Sequence, residues 1–259
     1  MDSGFAINNG SKIAVIKGTG DFVGIATNQP KEFEITERLI EPIIDPNIYK
    51  RNQREVYLIS GASGAGKTTI ASQIIKNYKD TFPKHNIVLF SPIVDDPAYK
   101  DLDMRQIELN EDFKDSQSWG TSDLEAEDYN DEIITIDDFY DTLVVFDDCD
   151  HIHDKRTRKI IMDIRDQLLE LGRHKRCSMI VINHQLRNYA LTKILLMECN
   201  KVIVFPHAGT KGQIRDYLKT YGGYSKSEID DIFKIKSRWV LLCKTAPMYI
   251  LHDKGGIIF

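Results

Sequence analysis

Short, nearly continuous apolar runs alternate along this chain with longer stretches of helical spacing. Val56–Ser60 (VYLIS), Asn86–Ser91 (NIVLFS), Thr142–Phe146 (TLVVF), Ser178–Ile182 (SMIVI) and Lys201–Phe205 (KVIVF) have the pattern of strands buried on both faces. Lys67–Tyr78 carries Ile70, Ala71, Ile74, Ile75 and Tyr78 on one helical face. Lys155–Leu171 does the same with Ile160, Ile161, Ile164, Leu168 and Leu171, and Gly172 is expected to cap it. A further helix is expected near Asn188–Glu198. Strands and helices in this order predict an α/β fold with a mostly parallel sheet flanked by helices, ending near residue 207.

The two ends follow other patterns. Residues 1–50 form an N-terminal β-rich adjunct, with Lys12–Lys17 and Asp21–Thr27 as a hairpin about Gly18-Thr19-Gly20 and a Pro-containing connection after it. Residues 51–210 form the core, and 211–259 a C-terminal extension. In the extension, Lys211–Tyr221 and Ser225–Phe233 read as two short helices, with Ser225 and Glu228 at capping-box spacing. Arg238–Lys244 and Met248–His252 then read as a hairpin around Ala246-Pro247. Glu108–Asp141 holds 13 acidic residues and one lysine, which predicts an acidic surface insertion.

Composition narrows the class. The chain has 259 residues, 42% hydrophobic and 28% charged, as an ordinary globular protein does, and is long enough to fold without metal or disulfide. No apolar run approaches the ~18–20 residues of a membrane span, and MDSGFAINNG has no signal-peptide hydrophobic region. Cys149, Cys177, Cys199 and Cys243 are far apart with no CxxC, so they read as reduced thiols rather than a zinc site or disulfide frame. The net charge of −5 is unevenly spread: residues 1–150 carry 14 Lys/Arg against 29 Asp/Glu, and 151–259 carry 20 against 10. A basic half either presents a positive face to an anionic partner or is simply an uneven surface.

The chemistry concentrates at strand ends. Gly61-Ala62-Ser63-Gly64-Ala65-Gly66-Lys67-Thr68 fits GxxxxGK[ST], between a predicted strand and a predicted helix. Its glycines let backbone N–H groups wrap phosphates, Lys67 brings charge to the β/γ-phosphates, and Thr68 offers a hydroxyl to Mg²⁺. Thr69 completes the set expected to hold ATP. Asp147 and Asp148 follow the apolar run TLVVF, which puts carboxylates at the sheet edge where ligands bind; Asp147 is the candidate for the Mg²⁺ shell and Asp148 for polarising water. Arg173, in Gly172-Arg173-His174-Lys175-Arg176, is a candidate finger for a neighbouring subunit's γ-phosphate, a basic helix end, or a DNA-phosphate contact. Asn183-His184-Gln185 follows another strand and offers a γ-phosphate sensor or an ordinary hydrogen-bonded histidine.

Taken together, GASGAGKT, IVLFSPIVDD, TLVVFDD, LLELGRHKRCSMIVINH, ECNKVIVFPHAG, IRDYLKTYGGYSK and SRWVLLCKTAPMYIL resemble the genome-packaging ATPases of large eukaryotic DNA viruses, the poxvirus and giant-virus type, within the FtsK–HerA superfamily. These segments span about residues 56–252. The resemblance implies a P-loop NTPase core, ATP and Mg²⁺ as ligands, and a ring of about five or six subunits acting on double-stranded DNA. It matches Lys67 and Thr68 to the Walker A ends, Asp147 to the Mg²⁺-linked acid, Asp148 to the second acid, and Arg173 to the trans finger. The sensor position, commonly Gln in the superfamily, falls on His184, with Gln185 one place later.

The reading is an ATP-driven motor that packages viral double-stranded DNA into a capsid, with capsid or portal-vertex proteins as partners. It would work in the host cytoplasm at a viral factory or in the virion, and would not be secreted. Lys211, Arg215 and Lys219 share a predicted helix and are candidates for DNA contacts or for a solvated face. The alternatives are a nucleoside or nucleotide kinase, which the same P-loop suits, and a nucleotide-gated binding protein with vestigial hydrolysis.

Overall fold

Short apolar runs separated by glycine and asparagine turns make strands of the first fifty residues. The computed structural model describes residues 2–109, 113, 134–186, 189–208 and 211–258. Strands β1 (Ser3–Ile7), β2 (Ser11–Ile16) and β3 (Phe22–Thr27) bury Phe5, Ile13, Ala14, Ile16 and Val23 on one side. Then come β4 (Glu32–Glu34) and β5 (Ile40–Pro42). The expected hairpin is the antiparallel β2–β3 pair, and it lies within a four-stranded sheet ordered β1-β3-β2-β5. Strand β4 leaves this sheet and joins the larger one.

The larger sheet grows from the apolar runs. Its elements are β6 (Val56–Ser60), α1 (Lys67–Thr81), β7 (Asn86–Ser91), β8 (Arg105–Glu108), β9 (Thr142–Asp147), α2 (Lys155–Leu171), β10 (Ser178–Asn183), α3 (Tyr189–Glu198) and β11 (Lys201–Val204). β6, β9, β10 and β11 are buried at every position, as expected of strands covered on both faces. In the order β11-β6-β10-β9-β7-β8 they run parallel. The mostly parallel α/β fold is thus observed. One apolar core, under α2, α3 and the helices that follow, fills one face. The other face packs against α1 and the N-terminal sheet, where Tyr57, Ile59, Ile74 and Tyr78 meet Ile16, Val23 and Ile40. Each fully buried Ile, Leu or Val of these cores is worth about 1.5–3 kcal/mol.

The sheet does not stop near residue 207. After α4 (Lys211–Thr220) and α5 (Lys226–Lys234) come β12 (Val240–Cys243), β13 (Tyr249–His252) and β14 (Gly255–Ile258). They add antiparallel to β11 in the order β12-β13-β14-β4, so N- and C-terminal strands close the same edge. α5 starts with the expected capping box, Ser225 and Glu228 each bonding the other's backbone N–H. Arg215 of α4 is held by Asp230 of α5 at 2.8 Å and lies over the Phe233 ring, so its charge serves the packing of the two helices.

Gly172 stands at the C-cap of α2 as expected, its N–H donating to Leu168 O, but it keeps right-handed geometry (φ −60°) and passes the chain into a 3₁₀ turn, Gly172–Lys175. The left-handed residue that ends it is Arg176 at φ 52°. A Cβ at 172 would meet the guanidinium of Arg54, so any other residue there requires the end of that side chain to shift. Most of the expected acidic insertion, 110–112 and 114–133, lies outside the described residues. Its ends are Glu108 in β8 and a 3₁₀ turn at Ile136–Phe139 with Thr135 and Asp138 as a capping box. All four cysteines are free and buried.

Candidate functional site

The loop Gly61–Gly66 leaves the C-terminal edge of the sheet between the ends of β10 and β11. Gly61 N donates to Asn183 O and Ala62 N to Ala208 O, both at 3.4 Å. A Cβ at Gly61 would lie 2.7 Å from the Phe205 ring, so only glycine lets the loop start this close to the sheet. Gly66 has φ 106°, which L side chains rarely adopt, and turns the chain directly into α1. The start of α1 has no side-chain cap and no acidic residue in its first turn. By contrast, Asp154 caps α2 by accepting from Thr157 N at 2.8 Å. A fifteen-residue helix whose leading amides lack such an acceptor, behind a glycine loop, is suited to an anionic ligand.

Three candidate residues meet beside this loop. Lys67 is buried, and its Nζ donates to Ala62 O at 3.2 Å and lies 3.5 Å from His184 Nδ1. The other ring nitrogen of His184, Nε2, lies 2.9 Å from Asp148 Oδ1, a close ion-pair approach rather than an aligned hydrogen bond. Asp148 adopts left-handed backbone geometry (φ 54°) as the chain turns out of β9. Such geometry costs a non-glycine residue about 1 kcal/mol or more and recurs at functional sites. His184 is fixed from behind, its backbone N donating to Asp150 Oδ2 at 3.2 Å and its ring edge-on to His151 at 4.6 Å. Of the three polar residues after β10, His184 is the one in contact with Lys67. Asn183 is buried at the strand end and Gln185 faces a small side cavity with Asp150, Met162 and Arg165.

Asp147 closes β9 and is only 3% exposed. Tyr99 donates its hydroxyl to Asp147 Oδ2 at 2.7 Å. Burial pushes the Asp147 carboxyl up to about 6, against the lowering effect of the Tyr99 bond. Among the described residues no cation pairs with this carboxylate, although the Lys67 charge acts on it; a bound divalent ion would stabilise it, and with the Thr68 hydroxyl it offers the oxygen donors that Mg²⁺ prefers.

Arg173 lies elsewhere. It precedes β10 and therefore sits at the N-terminal edge of the sheet, whereas the glycine loop leaves the C-terminal edge of the adjacent parallel strand β6. Strands of five to six residues separate the two edges by about 17–20 Å. Arg173 is exposed there, on an open cleft of about 520 Å³ whose other lining residues include Arg54, Glu55, Asn200 and Lys201. The fold brings together Lys67, Asp148 and His184, with Asp147 closing the same strand as Asp148; it does not bring Arg173 to its own chain's loop.

Two side chains at the site were not singled out from the sequence. Tyr99 reaches Asp147 from the loop after β7, where no motif marks it. Arg238, inside the SRWV segment, donates from Nε to Ala65 O at 2.8 Å and from Nη2 to Gly64 O at 3.1 Å. It reaches the loop because β12 runs antiparallel to β11 and so begins at the edge where the loop lies.

No helix among the described residues is long and apolar enough to cross a membrane. No protein-family model matches the chain. Among solved structures, the DNA-packaging ATPase B204 of Sulfolobus turreted icosahedral virus is 15% identical, with 77% of this chain and 97% of that one covered and a TM-score of 0.49. The pCW3 conjugation coupling protein TcpA is 12% identical, covering 96% and 76%, at a TM-score of 0.46. Likenesses at this level carry no argument about chemistry. A curated relative, the uncharacterized protein V3 of Sputnik virophage, is 36% identical over 205 residues, covering 78% of this chain and 76% of that one. On that similarity, this chain belongs to the same family as the virophage V3 protein.

Proposed function

We propose that this protein is an ATP-driven translocase motor that packages viral double-stranded DNA into a capsid, hydrolysing ATP to ADP and phosphate. The observation that carries the nucleotide part is the uncapped start of α1 behind the glycine loop, with Lys67, His184 and Asp148 in contact at its side. The DNA part rests on the ordered motifs that resemble packaging ATPases and on the basic C-terminal half.

In this reading the phosphates of ATP lie in the loop Gly61–Thr69, on those of its amides that no carbonyl already holds, and Lys67 exchanges Ala62 O for a phosphate oxygen. Bound Mg²⁺, held by Thr68 and Asp147, would supply charge neutralisation at the β/γ-phosphates. Asp148 accepts the proton of the attacking water. His184, between Asp148 and Lys67, feels the presence or loss of the γ-phosphate through Lys67. Arg173 is too far from its own loop, so it serves the nucleotide of a neighbouring subunit, and the resemblance to packaging ATPases implies that the copies form a ring of about five or six. Capsid or portal-vertex proteins would hold that ring, in the host cytoplasm or the virion.

The test is steady-state ATP hydrolysis across protein concentration, with and without long double-stranded DNA. Activity that rises with assembly and with DNA supports the motor. Activity indifferent to both, with phosphate appearing on an added nucleoside, would replace it with a kinase, and nucleotide binding without turnover would leave only a nucleotide-gated binding protein.

A further inference from the structure

Arg238 makes a two-pronged contact that neither the motif nor the proposed reaction requires. Its guanidinium donates to two successive carbonyls of the glycine loop, Gly64 O and Ala65 O, at 3.1 and 2.8 Å. Peptide units are rigid, so fixing these two carbonyls also fixes the amides that follow them: that of Ala65, which donates to Ala62 O at 3.2 Å and closes the turn, and that of Gly66, which leads into α1. Both flanking glycines have positive φ, 73° at Gly64 and 106° at Gly66, and the turn's own backbone bond is that from Ala65 N to Ala62 O. The guanidinium is also packed closely: a Cβ at Gly66 would lie 3.2 Å from both Cζ and Nε of Arg238.

The arginine is itself well anchored although its side chain is exposed. Ser237 before it is 3% exposed, its hydroxyl donating to Trp239 O at 2.7 Å and accepting from Asp253 N at 3.4 Å. Trp239 after it is buried in the core shared by α1 and the N-terminal sheet. Two buried neighbours therefore pin the backbone from which an exposed cation reaches the loop.

We infer that Arg238 is a positioning residue for phosphate binding: its guanidinium fork holds the glycine loop in the shape that aims its amides at the nucleotide phosphates. This rests on the nucleotide-binding reading above. It makes the start of β12, 173 residues from Ala65, part of the nucleotide site. A lysine cannot reproduce the role, because one ammonium does not present a planar pair of donors to two carbonyls.

The experiment measures the affinity of a fluorescent N-methylanthraniloyl ATP for wild type, Arg238→Ala and Arg238→Lys, with amide hydrogen exchange over residues 61–66 in the nucleotide-free proteins. Arg238→Ala is expected to bind roughly ten-fold more weakly, with faster exchange in the loop and an unchanged melting temperature. Arg238→Lys is expected to recover only part of the affinity, and KM should rise in hydrolysis while kcat changes little. Equal affinity in wild type and Arg238→Ala overturns this inference alone. A wild type that binds no nucleotide overturns the nucleotide-binding reading, and this inference with it.

Discussion

His184 Nε2 lies 2.9 Å from Asp148 Oδ1, while the opposite ring nitrogen faces Lys67 Nζ at 3.5 Å. One imidazole thus spans the candidate phosphate-binding lysine and the candidate water-activating acid. Removing it breaks the link without touching the loop backbone or α1. His184→Ala is expected to lower kcat by about 10²-fold while nucleotide affinity changes little. His184→Gln, which keeps a polar group at the strand end, is expected to retain part of the rate. Nucleotide-binding titrations beside steady-state kinetics check this; a variant that keeps full kcat would remove His184 from the chemistry.

Because Arg173 and the glycine loop lie at opposite edges of one parallel sheet, a single chain does not bring this arginine to its own loop, and the proposed function needs it from a neighbour. Arg173→Ala is expected to lose about 10³-fold in hydrolysis with nucleotide binding preserved. Lys67→Ala loses binding at its own loop but still offers Arg173. Mixing the two inactive variants is expected to restore a fraction of the activity at interfaces that pair an intact loop with an intact arginine. Absence of any recovery in a mixture shown to co-assemble would argue that Arg173 does not act across the interface.

Asp147 makes a prediction about stability. Its folded carboxyl sits at about 6 because burial disfavours the charge, against the usual value of 3.8. A group raised in this way contributes stability that is fully present below 3.8 and lost as pH rises through 6. At pH 8 the ionised form then costs at most about 3 kcal/mol. Asp147→Asn keeps an oxygen to accept from Tyr99 and carries no charge. It is expected to melt several degrees above wild type at pH 8, to lose that advantage near pH 4, and to lose Mg²⁺-dependent hydrolysis. Thermal melts of the nucleotide-free proteins at the two pH values decide it; a variant less stable at pH 8 would mean the lost contacts outweigh the charge.

The parts of the fold visible in the sequence are those that bury both faces. VYLIS, TLVVF and SMIVI can only be central strands, and α1 and α2 have clear apolar stripes. Short strands such as Glu32–Glu34 and Arg105–Glu108 have mixed burial and too few apolar residues to stand out. Their identity depends on partners distant in sequence. The same division holds at the site. Lys67, Asp147 and Asp148 stand in local motifs whose spacing reflects their chemistry. The choice among Asn183, His184 and Gln185 depended on where the chain turns after β10, which Asp150 sets from another segment. Tyr99 and Arg238 arrive from loops at the same sheet edge, and only the strand order brings them there.

Gly172 links the fold to the presentation of Arg173. Arg54 is buried beneath it, with its guanidinium donating to the carbonyls of Leu168 and Leu169 at the end of α2. Those bonds satisfy a charge that burial disfavours, since desolvation lowers the pKa of Arg54. A Cβ at 172 would strike this guanidinium, and the far end of an arginine normally swings aside at little cost. Here the guanidinium would have to shift toward the cleft that it lines, and its bonds to these carbonyls would be lost although Leu168 O keeps the Gly172 N–H, so Gly172→Ala is expected to cost about 1 kcal/mol. For a chain of this length that lowers the melting temperature by roughly 2–4 °C. The substitution also shifts the turn that carries Arg173, so hydrolysis by the assembled protein should fall more than nucleotide binding does. Calorimetry and the binding titration on Gly172→Ala separate the two effects; an unchanged melting temperature would show that Arg54 does not need the glycine.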